Sequence, residues 1–186
     1  MINLNEFTCY TGGAQGADFI WESECQKHKI KVIAYSFEGH KTKSKNKQIL
    51  TENELNEGFQ HIEITNQKLN RNLTTITPYV KNLISRDWFQ VKNSDTIFAI
   101  GYKATKNSVA GGTGWAVSCA IDNNKKVYLF EQTENKWYKY DYQSDEFKPY
   151  NNIPKLTKNF AGIGTREIND NGVRAIIELF KRSITK

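Results

Sequence analysis

Three glycine-rich stretches hold the residues of this chain that are best suited to bind an anion. They span 10–18, 110–116 and 161–167, and each follows a short apolar run and precedes a segment with helical apolar spacing. Each is therefore predicted to join a strand to a helix N-terminus, where bare backbone N–H groups and the helix dipole favour a phosphate. One such loop is weak evidence, because many glycine turns only make a tight connection. Three in the same context predict a nucleotide-like ligand.

Backbone N–H groups in the first two turns are predicted to hold phosphate oxygens, and threonine hydroxyls at all three turns to donate to them. Arg166 follows the third turn and suits a phosphate, a stacked base or a surface salt bridge. Asp18 either caps its helix or accepts hydrogen bonds from ribose. Trp115 either stacks on a base or fills the core. The predicted ligand contacts of the turns are Thr11, Gly12, Gly13, Ala14, Asp18, Gly111, Gly112, Thr113, Gly114, Trp115, Gly164, Thr165, Arg166 and Glu167.

The elements around these turns predict an α/β fold. Strands alternate with helices, which favours a Rossmann-like, mainly parallel sheet with helices on both faces, built as one domain from residues 1–186. In such a sheet the loops after the strands gather at one edge, where ligands bind. The pair 127–130 and 137–140 is predicted as an antiparallel edge hairpin, and 143–158 as a connector. The other predicted strands are 7–10, 29–35, 96–100 and 160–163, and the predicted helices are 19–28, 51–71, 77–91, the segment from the second glycine turn to 123, and 170–182.

Charge favours a small anionic ligand over nucleic acid as the partner. The chain carries a formal charge of +6 at pH 7, which only weakly suits nucleic acid. Lys41, Lys43, Lys45 and Lys47 fall in one polar stretch that is either a solvated loop or a mobile lid over phosphates. No aromatic residues interleave with these lysines, so a stacking platform for single strands is not predicted.

The sequence also predicts a cytoplasmic protein without a metal or a membrane partner. No apolar run approaches the length of a membrane span, and the first residues lack the pattern of a signal peptide. Cys9, Cys25 and Cys119 have no metal-binding spacing and are expected to be reduced, buried thiols. The three histidines are scattered. No cofactor is predicted other than the nucleotide-type ligand itself.

Several of these motifs resemble those of the SLOG superfamily, a Rossmann-like group that includes DprA, the LOG nucleotide phosphoribohydrolases and nucleotide-sensing domains of bacterial defence systems. Residues 11–18 (TGGAQGAD) are similar to its SGGAxGxD motif, and 162–167 (GIGTRE) to the GIGSRE motif of many phage-borne members. Residues 86–90 (RDWFQ) and 111–116 (GGTGWA) are similar to RNxxQ and GGTGxA. Arg86 and Gln90 share one helix face by their i, i+4 spacing and either face solvent or contact the ligand. The resemblance implies a nucleotide-binding domain in which both contact the ligand.

The order of these motifs differs from that in the superfamily. There the GIGSRE unit is the first strand and helix, whereas here it lies at 158–186. The resemblance therefore implies a circular permutation, which a fold tolerates when the original termini lie close together at the surface. It further implies that the strand 160–163 enters the sheet beside 7–10, and that the first and third glycine loops are neighbours in space.

The resemblance leaves three hypotheses for the activity. The first is a protein that binds a nucleotide-derived signal, of cyclic-nucleotide or ADP-ribose type, as a sensor or as a phage sponge that sequesters an immune signal. The second is a LOG-type nucleotide N-glycosidase. Ser118 stands where the LOG motif PGGxGTxxE carries its glutamate, which disfavours an enzyme and leaves Glu22 and Glu167 as candidate carboxylates. The third is a DprA-like binder of single-stranded DNA, disfavoured by the moderate charge. The resemblance also implies a homo-oligomer.

Overall fold

Eight strands form one sheet in the computed structural model, which describes residues 6–184. The strands are β1 (Thr8–Thr11), β2 (Lys31–Ser36), β3 (Lys47–Ile49), β4 (Thr96–Gly101), β5 (Lys126–Glu131), β6 (Lys136–Asp141), β7 (Glu146–Tyr150) and β8 (Asn159–Gly164). Their order is β3-β2-β1-β8-β4-β5-β6-β7, parallel from β3 to β5 and antiparallel from β5 to β7. The predicted α/β fold, with a mainly parallel sheet and an antiparallel edge hairpin, is confirmed.

Helices cover both faces of this sheet. They are α1 (Ala17–Lys27), α2 (Glu52–Leu69), α3 (Pro78–Ser85), α4 (Asp87–Asn93), α5 (Thr113–Asp122) and α6 (Asp170–Ile184). Along β4, Ile97 and Ala99 pack with α4 and α5, whereas Phe98 and Ile100 pack with α1 and α6. A strand buried on both faces has a continuous apolar sequence, which is why β4 is recognisable from the sequence. None of the helices within residues 6–184 is long and apolar enough to cross a membrane.

The last strand pairs with the first. β8 lies between β1 and β4, with Cys9 opposite Phe160 in parallel register. The N–H of Ala17 donates to the carbonyl of Thr165 at 3.0 Å and so joins the start of α1 to the third glycine loop. The expected pairing of these two strands and the closeness of the first and third loops are confirmed.

Gly16 allows this close approach of the two loops. Its φ is +88°, and an added Cβ would lie 2.5 Å from the carbonyl oxygens of Thr165 and Arg166. Gly39 is a matched control, because its φ is +80° and an added Cβ would meet nothing within 4 Å. We expect Gly39→Ala to lower the free energy of unfolding by about 1 to 2 kcal/mol, the cost of left-handed backbone. Gly16→Ala should cost clearly more, since two carbonyls must also move. Chemical denaturation measures both losses, and equal losses would contradict the close approach.

Three stretches differ from the predicted elements. β7 forms within the predicted connector 143–158, and its Pro149 is tolerated because β7 is an edge strand. β3 forms within the lysine-rich stretch, at the opposite edge. The single helix predicted over 77–91 is two helices, α3 and α4, which meet at Arg86. β3 is exposed throughout and β7 buries only Phe147, so neither carries an extended apolar pattern that sequence reasoning can detect.

Candidate functional site

A cavity of about 630 Å³ opens where β1, β4 and β8 end. This volume is in the range of small-molecule sites, and the position is the one expected for a ligand in an open parallel sheet. The predicted site residues that line it are Ala14, Asp18, Arg86, Gln90, Gly111, Gly112, Thr113, Trp115, Gly164, Thr165, Arg166 and Glu167. Those that do not line it are Thr11, Gly12, Gly13 and Gly114.

The first glycine loop wraps around a carboxylate of the protein itself. The N–H groups of Gly12 and Ala14 donate to Asp18 Oδ2 at 3.1 and 3.2 Å. The N–H of Gly13 donates to Thr11 Oγ1 at 3.0 Å. These N–H groups were predicted to hold phosphate, but each already has an acceptor. The loop therefore fixes the start of α1, and the predicted phosphate cradle does not fit this arrangement.

Arg86 is buried beside the first loop. Its Nη1 donates to the carbonyls of Gly12 and Tyr35, and its Nε donates to the carbonyl of Leu83 at 3.2 Å. An added Cβ on Gly12 would lie 2.8 Å from the guanidinium carbon, so only glycine lets this group lie against the backbone. Arg86 therefore ties the first loop to β2 and α3, and it also lines the cavity.

The second glycine loop leaves backbone donors open. In the part of the chain that the structure describes, nothing accepts a hydrogen bond from the N–H of Gly111, Gly112 or Thr113, which form the N-terminal end of α5. Arg71 Nη1 donates to the carbonyl of Gly111 at 2.8 Å and holds the loop. The N–H of Gly114 donates to that same carbonyl, so the phosphate role predicted for Gly114 does not fit. Open N–H groups at a helix N-terminus favour an anion.

Trp115 forms part of the cavity wall and part of the core. It packs in a small apolar cluster with Ile62 and Ile84, and it is 8% exposed. The guanidinium of Arg71 lies 5.1 Å from the centroid of its ring. The core role of Trp115 is therefore confirmed, and base stacking stays a prediction.

The third glycine loop brings polar groups to the cavity. Thr165 Oγ1 accepts a hydrogen bond from the N–H of Glu167 at 3.2 Å. The fully buried Gln132 donates to the carbonyl of Glu167 and accepts from the N–H of Asn169, which fixes the loop. Arg166 is exposed and makes no ion pair with any residue from 6 to 184, so the salt-bridge interpretation does not hold and its guanidinium is open to a ligand.

Positive charge converges near His40, close to the cavity. Burial lowers the pKa of His40 to about 4, and the charges of Arg86, Arg166 and Lys47 add to this effect. Two of these cations, Arg86 and Arg166, line the cavity. Their potential favours an anionic ligand.

Two buried carboxyl groups also line the cavity. Burial raises the pKa of Asp18 to about 6 and that of Asp87 to about 7, and the charge of Arg86 opposes both shifts. The like charge of Asp18 further raises the pKa of Asp87. Both groups therefore titrate near neutral pH, which makes them the candidate acid–base groups of the cavity.

Asp87 should make the stability of the fold depend on pH. Its pKa is about 7 in the fold and near 4 in an unfolded chain, so the folded protein holds a proton that the unfolded chain releases between these values. The contribution of this carboxyl to stability consequently falls as the pH rises from about 4 to about 7. We expect Asp87→Asn to leave the melting temperature unchanged near pH 4 and to raise it near pH 8. At roughly 1.4 kcal/mol per pKa unit, the free energy of unfolding near pH 8 should rise by a few kcal/mol. Parallel curves of melting temperature against pH for the two proteins would contradict this expectation.

Gln90 presents an unpaired acceptor. Its side chain lines the cavity and is 2% exposed, and its Nε2 donates to Asp87 Oδ1 at 3.1 Å. Its Oε1 receives no hydrogen bond from residues 6–184. A buried acceptor without a donor is rare in native proteins, and on a side chain that lines a cavity it is a candidate contact for a ligand or an ordered water.

Glu22 lies outside the cavity, although the sequence makes it a candidate carboxylate. It accepts hydrogen bonds from Thr11 Oγ1 at 3.0 Å and from Ser44 Oγ at 2.6 Å. Thr42 Oγ1 donates to the carbonyl of Gly13, so the lysine-rich stretch is anchored to the first loop as well as to α1. The four lysines of this stretch are exposed. The stretch is a solvated edge segment, and the alternative of a mobile lid does not fit these anchors.

The three cysteines are buried thiols, as predicted from the sequence. Cys9, Cys25 and Cys119 are buried and free. Among residues 6–184, no group of three or more His, Cys, Asp or Glu side chains is arranged to hold a metal ion.

No protein-family model, curated protein or solved structure matches this chain. The resemblance to the SLOG superfamily therefore stays a prediction based on the motifs. The functional interpretation depends on the cavity and its lining residues.

Three residues that shape the site were not predicted from the sequence. Asp87 lies between two predicted residues, Arg86 and Gln90, and its i, i+3 spacing to Gln90 is a signal that places both on one helix face. Arg71 and Gln132 carry no such signal. Each contacts its loop over 35 or more positions in sequence, so only the fold brings them to the site.

Proposed function

We propose that this chain binds a nucleotide or a nucleotide-derived signalling molecule, of cyclic-nucleotide or ADP-ribose type, in the cavity at the ends of β1, β4 and β8. The observation that carries the proposal is that two sets of hydrogen-bonding groups without a partner belong to the lining of one cavity. The N-terminus of α5 offers the open N–H groups of Gly111, Gly112 and Thr113, and the buried Gln90 offers an unpaired Oε1. Phosphate fits the first feature, and a neutral polar group such as a base fits the second.

The strand order supports a Rossmann-like nucleotide domain of the SLOG type. A doubly wound sheet has the order 3-2-1-4-5. If β8 is counted as strand 1, β1 as strand 2 and β2 as strand 3, the observed order β2-β1-β8-β4-β5 becomes 3-2-1-4-5. Residues 159–164 would then be the first strand of that order. On this proposal the unit 158–186 is the permuted first strand and helix of one cytoplasmic domain. Its role is that of a sensor, or of a phage-borne protein that sequesters the signal, and it works as a homo-oligomer.

Mass spectrometry of the small molecules that purified protein releases on heating tests this proposal, together with a thermal-shift screen of nucleotides and cyclic signals. We expect an intact nucleotide in near-stoichiometric amount, and a rise in melting temperature with the same molecule, because a ligand that binds only the folded state stabilises it. No recovered nucleotide and no thermal shift with any member of the screen would contradict the proposal.

A nucleotide N-glycosidase is the second candidate, and the carboxyl pair favours it. Asp18 and Asp87 line the cavity with pKa values of about 6 and about 7, near the pH at which a general acid or base works best. Chromatography of nucleoside monophosphates after incubation with the protein separates the two candidates. Release of free base by the wild type and its loss in Asp87→Asn would make the protein a hydrolase. If the nucleotides stay intact with both proteins, nucleotide binding without hydrolysis remains the proposed function.

A further inference from the structure

Asp87 and Gln90 form a hydrogen-bonded pair in the cavity wall. They are three residues apart on α4 and therefore share one face. Gln90 Nε2 donates to Asp87 Oδ1 at 3.1 Å, which orients both side chains. Gln90 Oε1 is buried and receives no hydrogen bond from the described residues. Asp87 Oδ2 is the carboxyl oxygen that the bond to Gln90 leaves unused. Both side chains line the cavity, so these two atoms form an edge that a ligand can pair with.

The protonation of Asp87 decides what this edge recognises. Burial favours the neutral carboxyl, the charge of Asp18 on α1 favours it further, and the charge of Arg86 opposes both. From α5 the thiol of Cys119 faces the same carboxyl; burial raises its pKa to about 12, so it carries no charge at neutral pH. Since Oδ1 accepts from Gln90, the proton of the neutral carboxyl sits on Oδ2. The edge then offers a donor, Oδ2–H, next to an acceptor, Oε1.

We propose that Asp87 and Gln90 recognise the amino edge of a nucleobase, in which a ring-nitrogen acceptor lies next to an exocyclic amino donor. Asp87 Oδ2–H donates to the ring nitrogen, and Gln90 Oε1 accepts from the amino group. Adenine and cytosine both carry this edge. On their Watson–Crick edges, hypoxanthine, guanine and uracil carry a ring N–H next to a carbonyl or amino group, which mismatches the Asp87 donor. This inference rests on the proposed nucleotide binding and adds the class of base to it.

The recognition should depend on pH in one direction. The donor exists only while Asp87 is protonated, so the affinity for an amino base should fall as the pH rises through about 7, by up to about tenfold per pH unit. Asp87→Asn provides the matched control. Its amide oxygen still accepts from Gln90, and its Nδ2–H replaces the carboxyl proton at every pH.

Calorimetric titration of AMP against IMP, and of CMP against UMP, tests the proposal at about pH 6 and about pH 8.5. The two members of each pair differ only in the hydrogen-bonding edge of the base. A site built to pair with one edge rejects the other strongly. We expect the wild type to bind AMP or CMP about tenfold or more tightly than its keto counterpart near pH 6, and to lose most of this preference near pH 8.5. Asp87→Asn should keep the preference at both pH values, and Gln90→Met should lose it.

Three results would overturn the inference. The first is equal affinity of the wild type for amino and keto nucleotides near pH 6, or a preference for the keto form. The second is the same dependence on pH in Asp87→Asn as in the wild type, a result that decides the matter even if Gln90→Met does not fold. In both cases nucleotide binding itself stands. The third is no binding of any of the four nucleotides, which removes this inference; the proposed function falls with it only if the cyclic nucleotides and ADP-ribose also fail to bind.

Discussion

Replacing Arg86 by alanine is expected to lower the free energy of unfolding by about 3 kcal/mol or more. The guanidinium is buried and donates to three backbone carbonyls, which would lose this donor. It is also the cation that opposes the raised pKa values of Asp18 and Asp87, so its loss leaves two buried carboxyls without a compensating charge. Chemical denaturation measures the loss. Arg86→Lys should fall between the two proteins, because an ammonium keeps the charge but not the planar fork of donors.

Arg166→Ala is the matched control for this prediction. Arg166 lines the same cavity but is exposed and makes no ion pair with the described residues, so its loss should change the free energy of unfolding by no more than about 0.5 kcal/mol. The two arginines thus separate a structural role from a role in binding. If Arg86→Ala proved as stable as Arg166→Ala, the anchoring of the first loop by Arg86 would be wrong.

Gly112→Asp is expected to weaken ligand binding about tenfold or more while leaving the fold at least as stable. Gly112 is exposed at the N-terminus of α5, and an added Cβ would meet nothing within 4 Å. An aspartate there is favourable for the helix by about 0.3 to 1 kcal/mol, because its carboxylate meets the positive end of the dipole. The same carboxylate competes with and repels the phosphate that the open N–H groups are proposed to hold. A gain in stability together with a loss of ligand affinity in Gly112→Asp would therefore indicate an anion site.

Gly112→Asn provides the control, since asparagine has nearly the same size without the charge. It should retain most of the affinity of the wild type, and thermal denaturation with calorimetric titration compares all three proteins. Affinities equal to that of the wild type in both Gly112→Asp and Gly112→Asn would show that no anion binds at α5. A loss of similar size in both would indicate a steric effect only, and would likewise count against the phosphate site.

The sequence predicts the strand–turn–helix units of the fold well, because the central strands are buried on both faces. β4 and β8 have continuous apolar sequences, and each is followed by a glycine turn. The edge strands β3 and β7 are not predicted for the opposite reason, since β3 is exposed throughout and β7 buries only Phe147. The break between α3 and α4 at Arg86 has no local signal in the sequence either.

The position of the site could also be predicted, but the roles of its residues only in part. Glycine turns converge at one edge of a parallel sheet whatever their function, so the cavity lies where the motifs place it. What each glycine does depends on its neighbours in space. Gly12 makes room for a guanidinium 74 positions away, whereas Gly112 has open space around it and a free N–H. Such differences arise only when the chain has folded.

The raised pKa of Asp87 lay beyond sequence reasoning for the same reason. An aspartate next to an arginine in the sequence is expected to be ionised, yet here burial outweighs the charge of Arg86. The guanidinium bonds to backbone carbonyls, and within residues 6–184 it forms no ion pair with Asp87.

Calorimetric titration of the wild type with a panel of nucleoside monophosphates, cyclic nucleotides and ADP-ribose tests the central claim most directly. We expect at least one member to bind one site per chain with a dissociation constant of the order of micromolar or tighter. Gly112→Asp, titrated with that same molecule, should bind it about tenfold or more weakly. If no member of the panel bound the wild type at concentrations up to about 1 mM, the assignment of the cavity to a nucleotide would be contradicted.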